Sequence, residues 1–507
     1  MSPASPSVPV SGVLPCPVRE SARGGGTREA LRFEARRWTW AEVDGEVARW
    51  AAALAGRGLG RGGRVALLSG SRPEVLFLVW AAARLGAAVV PLNARLTPAE
   101  LAPLVARAGA GLHLAEASLA AHLPSRPLRL EDLAEEAARG PGDPSDGAPV
   151  PLDAAAPWLV LFTSGTTGRP KAAVLGVGQM AAAARASAAR LNGPQPPRWL
   201  GTLPLFHIGG LAMAGRCAFD GGSLVLHRRF EAEAAARALA EDGITHASLV
   251  PTTLERVLEA RGDRPFPEGL RAVLIGGGPV PPALLARARA HRLPCLQTYG
   301  LTETCSQVTT ERPEGADGRS AGEPLPGVEV RVVDAGGQPL PPEAEGEVEV
   351  RGPTVMAGYL DDPEATAAAF RAGGWLRTGD LGARDAGGRL RILSRRVDLI
   401  VRGGENVYPA EVEAVLLQHP AVAEAAVLPE RHPSWGQVPV AVVVLRPGAA
   451  GEGEGSGTAE SVLAFAAERL ARFKLPVRCV LRDVLPRNAM NKVDRNALRR
   501  LTGIEPQ

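Results

Sequence analysis

Residues Leu159 to Lys171 read LVLFTSGTTGRPK. The first four, Leu159 to Phe162, have the length and apolar character of a short buried strand. They run directly into Thr163-Ser164-Gly165-Thr166-Thr167-Gly168, a loop of small hydroxyl and glycine residues closed by Arg169, Pro170 and Lys171. Gly165 and Gly168 let the backbone turn tightly and bring N–H groups close to a ligand. The hydroxyls supply donors that can wrap an anion, and Arg169 and Lys171 add positive charge. A strand that feeds such a loop reads as a polyphosphate cradle. It is not a Walker A loop, because Pro170 stands where GxxxxGK[ST] needs glycine.

The flanks fix the kind of sheet this strand belongs to. RVALLSG (64–70) reads as a strand, and PEVLFLVWAAARLGAAVVPL (73–92) as a helix followed by a buried strand. Thr39 with Glu42 forms a capping box ahead of an amphipathic helix. Short apolar runs alternating with helices imply a parallel sheet covered on both faces. The alternation resumes after Lys171, beginning with an alanine-rich helix from about Gly178 to Arg190. From about Val328 to Gly352 the pattern changes to strands joined by turns, a small antiparallel sheet or barrel. Past residue 394 the chain reads as a compact α+β unit of ordinary domain size. A polar loop, PRNAMNK, leads there into a helix that starts after Asp494.

Composition narrows the class. A chain of 507 residues is too long for one core. A net charge of +3 is too small to argue for nucleic acid, and no apolar run is long enough to span a membrane. Residues 1–30 lack the basic start and apolar core of a secretory signal and read as a disordered tail. Five scattered cysteines without a CxxC fit reduced thiols in a cytoplasm and no zinc site. Of 57 basic residues only Lys171, Lys474 and Lys492 are lysines. Lysine should persist where a compact ammonium differs from a planar guanidinium, so all three are candidate chemistry. Tyrosine is equally rare, with Tyr299, Tyr359 and Tyr408 its three copies.

Other stretches supply parts of one nucleotide pocket. Gly276-Gly277-Gly278-Pro279 ends a strand without side chains, leaving room for a flat ring against the backbone. Thr298-Tyr299-Gly300-Leu301-Thr302-Glu303 offers an aromatic face, a hydroxyl and a carboxylate. Thr378-Gly379-Asp380 offers a carboxylate able to hold a ribose diol. In sheets of this kind ligands bind at the carboxyl ends of strands, where these loops fall.

With TSGTTGRPK, PLFHIGG, YGLTE, GWLRTGDLG, RRVDLIVRGGENVYPAEVE and PRNAMNK in this order, the chain resembles the adenylate-forming superfamily. That group includes acyl-CoA synthetases, adenylation domains of nonribosomal synthetases and luciferases. The likeness runs from about Thr39 to Arg500. It implies an α/β fold: a large N-terminal AMP-binding domain of layered sheets with a small β-barrel-like subdomain (31–394), and a small mobile α+β C-terminal domain (395–507). It also implies roles. Thr163 to Lys171 would bind the ATP phosphates. Tyr299 and the 276–279 backbone, beside Thr298 and Gly300, would sandwich adenine. Asp380 and Arg395 would hold the ribose. Thr302 and Glu303 would lie by the α-phosphate and Mg²⁺, with Glu303 the metal ligand. Lys492 would be the catalytic lysine and His207 would line the acyl pocket. After rotation of the C-terminal domain, Arg402, Gly403, Gly404 and Glu405 would present a slot for the pantetheine arm of coenzyme A. The chain departs from the family pattern at Val397, at the hinge, and at Asn491, before the lysine.

PLFHIGGLAMAGRCAFDGG, THASLVPTT, VLIGGGPVP and QTYGLTETCSQ look most like 2-succinylbenzoate–CoA ligases of menaquinone biosynthesis. That substrate carries a second carboxylate. Arg216 lies nine residues after His207, on the helix expected to wall the acyl pocket, and is useful there for a dicarboxylate. Ser306 and Gln307 are further pocket candidates. The expected partners are a small carboxylic acid and CoA, with no nucleic acid and no membrane insertion, and the sequence is compatible with a homo-oligomer. Alternative readings are a ligase for malonate, a fatty acid or an aryl acid, an enzyme loading a carrier protein, and a non-catalytic nucleotide-binding regulator.

Overall fold

A computed structural model describes residues 11–140, 148–163, 170–278, 280–394, 399–447, 457–487 and 493–504. The chain divides into two compact units. The large one comprises Met1–Ala94, Val105–Phe162 and Ala172–Ser394; the small one comprises Arg95–Leu104, Thr163–Lys171 and Arg395–Gln507.

Two sheets with parallel cores dominate the large unit. The nine-stranded one runs Glu323–Pro324, Ser306–Thr310, Cys295–Leu301, Ala272–Ile275, His246–Leu249, Arg198–Gly201, Ser223–Leu226, Glu29–Phe33, Arg36–Thr39. From Cys295–Leu301 to Glu29–Phe33 every pairing is parallel. Both faces are covered, and the two-residue period of a strand shows why the runs are so apolar. Ala272 and Leu274 enter one core cluster while Val273 and Ile275 enter another. The seven-stranded sheet carries the strand Pro157–Thr163 between Ala88–Leu92 and Lys171–Gly176. The antiparallel part is a five-stranded sheet of Glu329–Val333, Gly346–Arg351, Trp375–Arg384, Phe370–Arg371 and Leu390–Ser394.

In the small unit the strand Gly436–Leu445 is buried on both sides. Ala441 and Val443 pack with Val412, Leu416 and Val462 of two helices, whereas Val440 and Val442 pack with Leu498 and Ile504. Asp494 caps the helix Arg495–Thr502 by accepting from the Ala497 amide at 2.9 Å.

The disordered tail expected for residues 1–30 is corrected for residues 11–30; residues 1–10 lie outside the described residues. Val13–Pro15 pairs antiparallel with Pro151–Asp153. The helix Pro17–Gly25 follows, with Cys16 and Val18 fully buried. A nine-residue helix is marginal by itself. This one is fastened by buried charge: Arg19 Nε lies 2.9 Å from Asp44, which also pairs with Arg84. None of that is visible in a proline- and glycine-rich stretch read locally. Asp44→Ala would leave two buried guanidinium groups without their carboxylate. Loss of about 3–5 kcal/mol is expected in urea unfolding; a change below about 1 kcal/mol, the worth of an exposed pair, would show that the triad does not hold this helix.

Candidate active site

Loops at the carboxyl ends of the central parallel strands gather most of the candidate residues of the large unit. Ala272–Ile275 delivers Gly276 to Gly278, and Cys295–Leu301 ends on Thr298, Tyr299 and Gly300. The glycines are required by close approach. A Cβ on Gly276 would sit 3.0 Å from Thr298, and one on Gly300 would sit 1.6 Å from the Ser306 carbonyl. Thr298 Oγ1 donates to the Thr309 carbonyl at 2.8 Å, tying this strand to the returning one. Pro279 lies outside the described residues.

Tyr299 is buried, and its hydroxyl donates to Asp380 Oδ2 at 2.7 Å. The aromatic and the carboxylate read separately from YGLTE and TGD are therefore one hydrogen-bonded pair. Thr302 and Glu303 lie in the short 3₁₀ turn that follows. Glu303 Oε1 accepts from the Tyr359 hydroxyl at 3.0 Å, and its carbonyl accepts from the Met356 amide at 2.8 Å. Tyr359 had no assigned role in the sequence reading; the rarity of tyrosine was the signal that marked it. Among the described residues no group of three or more His, Cys, Asp or Glu could hold a metal. Mg²⁺ needs no such cage when one or two carboxylates act together with substrate phosphates, so a lone Glu303 fits that ion.

His207 is the residue before the helix Ile208–Asp220 and is half-buried, its ring 4.7 Å from that of Phe206. Two turns along the same helix, Arg216 is only 3% exposed. Its Nη2 donates to Ser306 Oγ at 3.2 Å, and its guanidinium lies 5.2 Å from the Trp199 ring centre. Burial pulls the group down to about 10, so it stays cationic at neutral pH. Among the described residues no carboxylate forms an ion pair with it, and its Nε is buried without a hydrogen-bond partner. Gln307 Oε1, on the same strand as Ser306, is likewise buried and unpartnered. Among the described residues Asp220 helps to hold Arg216 charged but makes no ion pair with it. Burial pushes the Cys305 thiol up to about 12 and holds it neutral. Burial also raises Asp220, which accepts from Asn192 at 2.9 Å instead. A buried cation without a counter-charge is costly to the fold. The Trp199 ring in turn lies 5.0 Å from that of His246, at a tilt of 31°, and neither residue was singled out in the sequence.

In the small unit, Ile400–Arg402 and Glu405–Val407 form a hairpin with Arg402 opposite Glu405. Gly403 and Gly404 turn it with φ of +59° and +89°, the conformation of a two-residue primed turn. The expected open slot at Gly403 is modified: a Cβ there would meet the Trp435 ring at 2.7 Å. Arg402 donates to the carbonyls of Arg472, Phe473 and Leu475 at 3.3, 3.2 and 3.0 Å. Glu405 is buried and pairs with Arg95 at 2.6 Å. Both charges of the hairpin thus have protein partners. Thr163 and Lys171 stand at the two ends of the TSGTTGRPK segment, and Thr163 Oγ1 donates to the Lys171 carbonyl at 3.4 Å. Ser164 to Gly168, Arg395, Val397, Asn491 and Lys492 lie outside the described residues.

Residues 18–360 match the family AMP-binding enzyme, and residues 411–492 match AMP-binding enzyme C-terminal domain. The chain belongs to the AMP-binding enzyme family. It is 41% identical over 477 residues to 2-succinylbenzoate–CoA ligase of Bacillus velezensis, covering 94% of this chain and 95% of that protein. Three solved structures of o-succinylbenzoate CoA synthetase from Bacillus subtilis are similar at 36% identity and cover 96% of this chain. A double mutant bound with its product analogue OSB-NCoA has a TM-score of 0.88 with 99% of that chain covered. The complex with the acyl-adenylate intermediate OSB-AMP has 0.72 and 98%, and that with ATP and magnesium ion 0.71 and 100%.

As an AMP-binding enzyme, the chain has the expected architecture of a large N-terminal α/β domain and a small C-terminal domain. Of the expected site residues, the structure brings together Arg216 with Ser306 and Tyr299 with Asp380, and it adds Tyr359 beside Glu303. No helix among the described residues is long and apolar enough to cross a membrane.

Proposed function

We propose that this AMP-binding enzyme is an ATP-dependent acid–CoA ligase that converts 2-succinylbenzoate, ATP and CoA into 2-succinylbenzoyl-CoA, AMP and diphosphate, a step of menaquinone biosynthesis. The carboxylate oxygen attacks the α-phosphorus of ATP, an O–P bond forms, and the bond to the β-phosphate breaks with release of pyrophosphate. The carboxylate and the triphosphate repel each other, so cationic groups must lie where they meet. Lys492 is given that place; Thr163 to Lys171 hold the phosphates, and Mg²⁺, held by Glu303, neutralises charge on them. Tyr299 and the 276–279 backbone take the adenine, and Asp380 and Arg395 the ribose. In the second half-reaction the thiol sulfur attacks the acyl carbon, a C–S bond forms, and the C–O bond to AMP breaks. The thiol proton goes to solvent. A turn of the small domain between the two steps brings up the hairpin that carries Arg402 to Glu405.

The observation that carries the choice of acid is Arg216, a buried guanidinium with a partnerless Nε and, among the described residues, no carboxylate paired to it. A second carboxylate on the substrate supplies the missing charge, with Ser306 and Gln307 beside it. A fatty acid would leave it unsatisfied. The need for ATP and CoA as co-substrates supports a cytoplasmic location. Mass-spectrometric detection of the CoA thioester from a mixture of 2-succinylbenzoate, benzoate, malonate and octanoate tests this reading. The 2-succinylbenzoyl thioester should dominate; an octanoyl or malonyl product would replace the assignment.

A further inference from the structure

Of the three lysines, Lys474 has no place in the chemistry above. It is 6% exposed, at the end of the 3₁₀ turn Arg472–Lys474. Its ammonium donates to Glu100 Oε1 at 2.8 Å and to Glu411 Oε1 at 2.6 Å. The other oxygen of Glu100 accepts from the amides of Thr97 and Ala471 at 2.9 and 2.8 Å. Glu411 stands in the first turn of the helix Pro409–Leu416. Burial works against the charge on Lys474, but Glu411 and Glu100 outweigh it and hold the amine above the usual lysine value.

The same turn offers its carbonyls to Arg402, which ends the first strand of the hairpin, while Glu405 across the hairpin pairs with Arg95. Residues 472–475 therefore fasten three elements: the hairpin, the start of the helix Pro409–Leu416, and the segment Arg95–Leu104. That segment groups with the small unit, although Ala94 and Val105 on either side of it group with the large one. A compact ammonium with three donors can bridge two carboxylates that approach from different elements, whereas a planar guanidinium constrains both to its own plane. This accounts for a lysine kept in a chain that otherwise uses arginine. Apolar side chains would fill such a space at less desolvation cost, so a buried charged cluster is better suited to specifying one arrangement.

We propose that Lys474 is a positioning residue for thiol transfer: by drawing Glu100 and Glu411 onto the 472–475 turn, it sets the hairpin Ile400–Val407 for passage of the pantetheine arm. This rests on the proposed function. Two single-turnover measurements separate the half-reactions: acid-dependent pyrophosphate release without CoA, and conversion of the enzyme-bound acyl-adenylate when CoA is added. Lys474→Met is expected to slow the second about 10- to 100-fold, the cost of a misplaced reacting group, and to leave the first within about twofold. Glu100→Gln should reproduce the slowing and carries the test if Lys474→Met does not fold. Adding Glu100→Gln to Lys474→Met should cost little more, because the two share one interaction. Lys474→Arg, which keeps the charge, should recover part of the loss. Parallel decline of both half-reactions with a lower thermal midpoint would overturn the proposal in favour of a purely structural cluster. Variants that transfer to CoA at the wild-type rate would overturn it as well. Wild-type protein that released no pyrophosphate with any acid would remove the proposed function and this inference with it.

Discussion

Arg216→Met is expected to raise KM for 2-succinylbenzoate on the order of a hundredfold, the usual penalty for truncating one partner of a buried charge pair, and to spare benzoate. The physical reason lies in the surroundings of this side chain. The guanidinium is buried over Trp199 and bonded to Ser306, yet Nε has no partner and no carboxylate among the described residues pairs with it. This arrangement costs stability, because a cation has been taken out of water and the Ser306 hydrogen bond and the Trp199 ring offset only part of that. A bound dicarboxylate would offset that cost, so binding and stability should move in opposite directions. Arg216→Met should leave the thermal midpoint of the free protein unchanged or higher while it weakens dicarboxylate binding. A lower midpoint with equal losses on 2-succinylbenzoate and benzoate would mark Arg216 as a packing residue.

Lys492→Ala is expected to lower acid-dependent pyrophosphate release by about 10²- to 10³-fold, the range for removing one stabilising donor from a developing charge. The effect should be confined to the first half-reaction. Once the acyl-adenylate exists, the charge repulsion that the ammonium relieves is gone, and thiol attack needs room more than positive charge. Chemically prepared acyl-adenylate should therefore be converted to thioester by Lys492→Ala at close to the wild-type rate. Lys492→Arg should rescue little, since a guanidinium is bulkier and bridges a carboxylate and a phosphate in a different geometry. Equal loss on both half-reactions would require another role for this lysine.

The parts of the molecule that were legible in its sequence are those fixed by near neighbours. The capping box of Thr39 and Glu42 and the cap at Asp494 are local signals, and both helices begin there. The runs Arg64–Leu68 and Ala88–Leu92 announced a covered parallel sheet because residues on both faces of each strand are apolar. The helix Pro17–Gly25 escaped the reading because Asp44 and Arg84, far along the chain, hold it. The site divides in the same way. YGLTE and TGD identified Tyr299 and Asp380, but their hydrogen bond joins residues 81 positions apart. Arg216 was marked by its spacing from His207, whereas its bond to Ser306 spans 90 positions and its stacking on Trp199 depends on the sheet. Lys474 was conspicuous by rarity alone. Its partner Glu100 is 374 residues away, and no periodicity could have paired them.

The central claim is that the enzyme activates a dicarboxylic aryl acid as its adenylate before any thiol is engaged. It is tested most directly by mixing enzyme, Mg-ATP and 2-succinylbenzoate without CoA, quenching, and measuring bound acyl-adenylate and pyrophosphate. The expected result is one equivalent of each per active site, formed with 2-succinylbenzoate well ahead of benzoate or malonate, and thioester only after CoA is added. Absence of the adenylate with pyrophosphate release that depends on CoA, or release of ADP and phosphate instead, would contradict the account.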